Sequence, residues 1–122
     1  MPKKNVLLVE DEIVLVKALT SAFLNTDCNL TVAYNGEEAS ELINKSIPDL
    51  ILLDLLLPKK NGIELLKEIR ASEKTKHIPV VVLSNFNEAS QVETLDQLGI
   101  KEFITKADAD LSQIVKSVEK YL

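Results

Sequence analysis

The sequence predicts an α/β protein, a doubly wound five-stranded parallel sheet with strand order 2-1-3-4-5. Three observations lead there. Short apolar runs alternate five times with amphipathic segments along 122 residues, the signature of a parallel sheet covered by helices. Each strand is joined to the next helix by only a few residues. The first, third and fourth runs are apolar on both faces, as central strands must be, whereas the second and fifth are weaker and belong at the edges.

The elements follow in chain order. "NVLLVE" (5–10) is the first strand, and Ile13, Val16, Leu19 and Phe23 after it share one helical face. "LTVAY" (30–34) is the second strand; Asn35 with Glu38 three residues on forms a capping-box signal that opens the second helix. "DLILLD" (49–54) is the third strand, followed by a helix with Ile63, Leu66 and Ile69 on its apolar face. "PVVVLS" (79–84) is the fourth, and Gly99 ends the helix behind it, where a left-handed cap is wanted. "EFIT" (102–105) is the fifth. Asp110 with Gln113 opens the last helix, whose stripe is Leu111, Ile114, Val115, Val118 and Leu122.

Composition narrows the function classes. Hydrophobic residues at 46% and charged residues at 27% fit one folded domain over residues 1–122 and exclude disorder. The apolar run between Pro48 and Pro58 falls short of the roughly 20 residues of a membrane span. "MPKKNVLLVE" turns acidic too soon for a signal peptide. Cys28 is alone, so the chain has no disulfide framework and a cytoplasmic setting is expected. The net charge is −5, with lysines scattered among glutamates, so no basic face exists for direct nucleic-acid binding.

Asp54 stands in "PDLILLDLLLP", an otherwise apolar stretch. A buried carboxylate is costly unless paired or bound to a cation. The topology resolves this, because ligands of such sheets bind beyond the carboxyl ends of the strands, at the switch point between strands 1 and 3. Glu10 and Asp11 (with Glu12 next) end strand 1, Asp54 ends strand 3, Ser84 ends strand 4, and Lys106 follows strand 5. Three converging carboxylates repel unless a cation intervenes, and an all-oxygen set suits Mg²⁺. With Mg²⁺ and Lys106 the charges balance, which describes an electrostatic clamp for a phosphoryl group, with Ser84 donating to a third oxygen.

The pieces "LLVEDE", "YNGEEA", "PDLILLDLLLPKKNG", "IPVVVLS", "LG" and "FITK", in this order and spacing, resemble a response-regulator receiver domain of two-component signalling. The resemblance covers essentially the whole chain and implies the receiver variant of the flavodoxin-like fold. It implies that Asp54 accepts a phosphoryl group from the phosphohistidine of a sensor histidine kinase or phosphotransfer protein. It further implies that Asp11, Asp54 and the Leu56 carbonyl hold Mg²⁺, with Glu10 acting through water, that Ser84 and Lys106 contact the acyl phosphate, and that Phe103 is the aromatic switch residue. The implied output is a protein docked on the face of helix 4, strand 5 and helix 5, or a homodimer formed on phosphorylation. Such a domain is no enzyme, promoting only its own phosphorylation and slow dephosphorylation. Two positions depart from the family pattern. Asn85 stands where a small residue follows the serine, and Ala107 stands where proline follows the lysine across a cis bond. Without proline a cis bond costs roughly 2.5–4 kcal/mol, so a trans bond and a re-routed loop from Ala107 to Asp110 are expected.

Other readings fit less well. A haloacid-dehalogenase-like phosphohydrolase needs a second Asp where Leu56 stands, and "VEDE" would repel a flavin phosphate. A degenerate receiver used only for docking would have lost an acid or the lysine. Ordinary roles suffice for His77 in its polar loop and for Tyr34 and Tyr121, and edge packing is the plain alternative for Phe103.

Overall fold

The computed structural model describes residues 3–85 and 89–122, and for residues 89–92 it describes the backbone alone. Five strands and five helices alternate: β1 (Lys4–Val9), α1 (Ile13–Phe23), β2 (Cys28–Ala33), α2 (Gly36–Lys45), β3 (Leu50–Leu53), α3 (Gly62–Ala71), β4 (Val80–Ser84), α4 (Ala89–Gln97), β5 (Glu102–Thr105) and α5 (Leu111–Lys120). The sheet runs β2-β1-β3-β4-β5, parallel throughout, as the sequence predicts. Strand ends shift by a residue or two: Glu10 and Asp54 lie just past β1 and β3 rather than inside them.

Alternation along the buried strands divides the core into two layers. Leu7, Val9, Ile51, Leu53, Val80 and Val82 face one side, against Ala39 and Ile43 of α2, Leu65, Leu66 and Ile69 of α3, and Leu95 of α4. Val6, Leu8, Leu50, Leu52, Val81, Leu83 and Ile104 face the other, against Val16, Leu19 and Phe23 of α1 and Ile114 and Val118 of α5. Three residues assigned to apolar faces from sequence lie at their margins instead. Ile13 is 52% exposed and Leu111 37% exposed, each in the first turn of its helix and overhanging the sheet's carboxyl edge, and the exposed Leu122 lies past the end of α5.

The caps hold as read. The backbone N–H of Glu38 donates to Asn35 Oδ1 at 2.8 Å, and that of Gln113 to Asp110 Oδ1 at 2.8 Å. Gly99 has φ +69°, the left-handed conformation that favours glycine after a helix. One further cap went unread: Asn61 accepts from the Glu64 N–H at 2.9 Å and so starts α3 immediately after the β3–α3 loop.

At the amino edge of the sheet one side chain gathers several backbone carbonyls. Arg70 sits in the last turn of α3. Its Nε donates to the Leu98 carbonyl at 2.7 Å, and one terminal nitrogen donates to the carbonyls of Lys76 and Ile78 at 3.0 and 2.8 Å. One guanidinium thus ties the loop before β4 to the end of α4. Replacing it strands three carbonyls that turn away from the ladders. Arg70→Met is expected to lower stability by about 2–4 kcal/mol, read as a shift of the urea midpoint at unchanged slope. A loss below about 0.5 kcal/mol would show the clamp to be incidental.

Candidate functional site

The backbone supplies the first part of the site. Glu10 N–H donates to the Ala33 carbonyl and Asp54 N–H to the Val9 carbonyl, each at 3.0 Å. These bonds hold both acids at the end of the ladder, where the chain leaves the apolar sheet. Beyond Asp54 the loop folds back on itself, with the Gly62 N–H donating to the Leu55 carbonyl at 2.9 Å. A β-carbon at Gly62 would lie 2.4 Å from the Asp54 carbonyl oxygen and 2.6 Å from the Leu55 Cα. Only glycine lets α3 start this close to the Asp54 backbone.

The side chains then converge. Glu10 is fully buried and Asp54 is 4% exposed. The Lys106 ammonium lies 2.8 Å from Glu10 Oε1 and 3.0 Å from Asp54 Oδ2, and also reaches Glu12 Oε1 at 3.3 Å. Glu10 Oε2 accepts the backbone N–H groups of Asp11 and Glu12, both at 3.1 Å. Asp54 Oδ1 accepts the Leu56 N–H at 3.3 Å. Ser84 is fully buried at the end of β4, in register with Thr105 of β5, the residue before Lys106. Phe103 is half-buried and packs on the layer that includes α4.

Electrostatics follow from burial. Desolvation pushes the Glu10 carboxyl up to about 7, against the opposing pull of Lys106 and the Glu12 N–H. Burial alone would depress the Lys106 ammonium; the Glu10 and Asp54 carboxylates outweigh it and hold the group above the ordinary lysine range. Carboxylate oxygens of Glu10, Asp11 and Asp54 lie within 4.8 Å of one another. Three carboxylates and one ammonium leave a formal charge of −2, which one divalent cation would neutralise. The donors are all oxygen, and buried Glu10 Oε1 faces the Lys106 charge but accepts no hydrogen bond. A hard cation such as Mg²⁺ therefore fits this cluster.

The predicted residues Glu10, Asp11, Asp54, Ser84 and Lys106 thus gather at the carboxyl edge of the sheet, with the exposed Leu56 at the rim. Phe103 lies apart from them, half-buried against the margin of the core. Two partnerships were not read from the sequence. Glu12 is a third carboxylate on Lys106, signalled only by its adjacency to the acid pair. Asn85 Oδ1 accepts the Ala107 N–H at 2.9 Å, so the two residues that depart from the family pattern touch each other. The Lys106–Ala107 bond is trans, as expected. Residues 86–88, in the loop after β4 expected to move inward on switching, lie outside the described residues.

Comparison with known proteins matches the family model described as response regulator receiver domain over residues 6–119. The polar-differentiation response regulator DivK of Brucella anthropi is 30% identical over all of this chain and 98% of its own length. The crystal structure of the phosphorylated cyanobacterial phytochrome response regulator RcpA superposes with a TM-score of 0.87 at 37% identity, covering 98% of this chain and 93% of that one. The Mn²⁺-bound form of the response regulator Rcp1 gives a TM-score of 0.86 at 32% identity, covering 96% and 92%. Other curated relatives are longer, and this chain spans 51%, 35% and 34% of three of them.

The raised Glu10 carboxyl has a signed consequence. A group whose folded value lies above its unfolded value contributes stability below the unfolded value, 4.5, which is lost as pH rises through about 7. In chelator, Glu10→Gln should therefore gain stability relative to wild type, by roughly 2 kcal/mol between pH 5.5 and pH 8. Urea titrations of both proteins at the two pH values measure this. Parallel changes in the two proteins would show that Glu10 ionises without cost.

Proposed function

The chain belongs to the response regulator receiver domain family, and from that membership we propose that it accepts a phosphoryl group on Asp54 and uses it to switch a protein-binding surface. The observation that carries this reading is the Lys106 ammonium bridging two buried carboxylates, Glu10 and Asp54, at 2.8 and 3.0 Å. A degenerate receiver kept only for docking has no need of that costly arrangement.

In the proposed reaction an Asp54 carboxylate oxygen attacks the phosphorus of a phosphohistidine. The new P–O bond forms as the P–N bond breaks, and the departing imidazole nitrogen regains a proton from solvent. Asp11, Asp54 and the Leu56 carbonyl would hold Mg²⁺, with Glu10 acting through water, and the ion would neutralise charge on the equatorial phosphoryl oxygens. The product is an acyl phosphate, which adds one negative charge and places the charge on the phosphoryl oxygens, so Lys106 exchanges its Asp54 contact for one of them. The Ser84 hydroxyl donates to another. These contacts draw the end of β4 toward the site and open space for Phe103 to move inward, which shifts the population of the face made by α4, β5 and α5. Phosphoryl donors of this chemistry are sensor histidine kinases or phosphotransfer proteins in the cytoplasm, and the output is a protein bound at that face or a second copy of the chain. The chain turns over no separate substrate.

With Mg²⁺ and acetyl phosphate, the protein should take up one base-labile phosphoryl group. Asp54→Asn should take up none, and chelation of the metal should prevent labelling. Labelling that persists in Asp54→Asn would sink the assignment. Lys106→Ala should keep or tighten Mg²⁺ binding while slowing phosphorylation, whereas Asp11→Ala should lose the metal; equal loss of Mg²⁺ in both variants would contradict the charge balance. Amide shifts on adding beryllofluoride should extend from Asp54 to residues 84–106. Shifts confined to the acid cluster would argue against a relay through Phe103.

A further inference from the structure

The parallel ladder between β4 and β5 weakens just where the site needs it. Ser84 pairs with Thr105, but the next bond, from the Lys106 N–H to the Ser84 carbonyl, has lengthened to 3.3 Å, beyond the usual 2.7–3.2 Å range. After it the chain turns at once, with the Asp108 N–H on the Thr105 carbonyl at 3.1 Å. Lys106 therefore stands on the last fading rung of an edge strand. Its side chain must nevertheless reach across the sheet to Glu10 and Asp54.

One bond reinforces this point from outside the ladder. Asn85, the first residue past β4, turns its Oδ1 to the Ala107 N–H at 2.9 Å, shorter than the backbone bond beside it. The side-chain oxygen acts as one more rung. It grips the residue next to Lys106 and ties it to the strand that carries Ser84. The donor exists only because residue 107 has an N–H, which proline lacks.

We propose that Asn85 is a positioning residue for Lys106: its carboxamide oxygen extends the β4–β5 tie by one residue and fixes the backbone from which the ammonium reaches the acid cluster. Its consequence for phosphorylation rests on the reading of Lys106 given above, but the positioning itself does not. Asn85 is exposed and contributes little to the core, so its replacement should leave the fold intact. Small displacements of a charge-bearing group are costly to a reaction that depends on alignment.

Two readouts separate the parts. The first is the ¹H–¹⁵N signal of the Lys106 ammonium together with hydrogen exchange of the Ala107 amide, in chelator, where no phosphorylation occurs. Wild type and Asn85→Asp, which keeps an acceptor oxygen, should show a slowly exchanging ammonium and a protected amide. Asn85→Ala should lose both. The second is the rate of Asp54 labelling by acetyl phosphate with Mg²⁺. Asn85→Ala should be slower by about tenfold, Asn85→Asp should recover most of the rate, and Asn85→Ala should add no further loss in an Ala107→Pro background. Wild-type ammonium and amide signals in Asn85→Ala would overturn the proposal, as would losses from Asn85→Ala and Ala107→Pro that multiply independently. If wild type itself takes up no label, the phosphoacceptor reading fails, and the ammonium and amide signals alone decide the role of Asn85.

Discussion

The structure depends most on the contact of one ammonium with two carboxylates that are almost withdrawn from water. Glu10 and Asp54 come to their places because β1 and β3 are neighbouring inner strands whose buried ladders end one residue before them. Neither acid could remain there charged and alone. Lys106 arrives from the edge strand, and its three acidic neighbours come from β1, from the start of α1 and from β3. The acid cluster is thus a junction of the sheet as much as a binding site. The same electrostatics that suit it to a divalent cation and an anionic group make it poorly neutralised without them.

The fold was legible because it rests on periodicity. Runs apolar on both faces could only be central strands, and short connections left one sensible order. The convergence of the candidate site was legible for a related reason, since parallel strands deliver their last residues to one edge. Glu10, Asp11, Asp54, Ser84 and Lys106 needed only to be the residues at which apolar runs stop. What escaped depends on three-dimensional pairing without periodicity. Nothing in the spacing of Arg70, Leu98 and Ile78 announces a clamp. Asn85 and Ala107 were visible as unusual residues, yet their contact across two loops was not. Ile13 and Leu111 fitted helical stripes but lie in first turns that pass the edge of the sheet, where periodicity no longer implies burial.

The two layers of the core also explain why β5 matters more than an edge strand of its length would suggest. Phe103 faces the layer of α2, α3 and α4, while Ile104 faces that of α1 and α5. Adjacent residues of one short strand therefore contact both halves of the core. The next residue but one is Lys106. Through Lys106 the acid cluster is attached to a strand that has a side chain in each layer, and among the described residues no further strand pairs with its outer side.

Arg70 gives this arrangement a direction. It fastens the loop before β4 and the end of α4 at the amino rim of the sheet, while the opposite rim is held by charged side chains around the acid cluster. The segments that leave α3 and α4 are therefore joined to each other at the amino rim through one planar guanidinium. At the carboxyl rim β1, β3 and β5 are joined through one ammonium, so each end of the sheet has its own cationic fastener drawn from a different element.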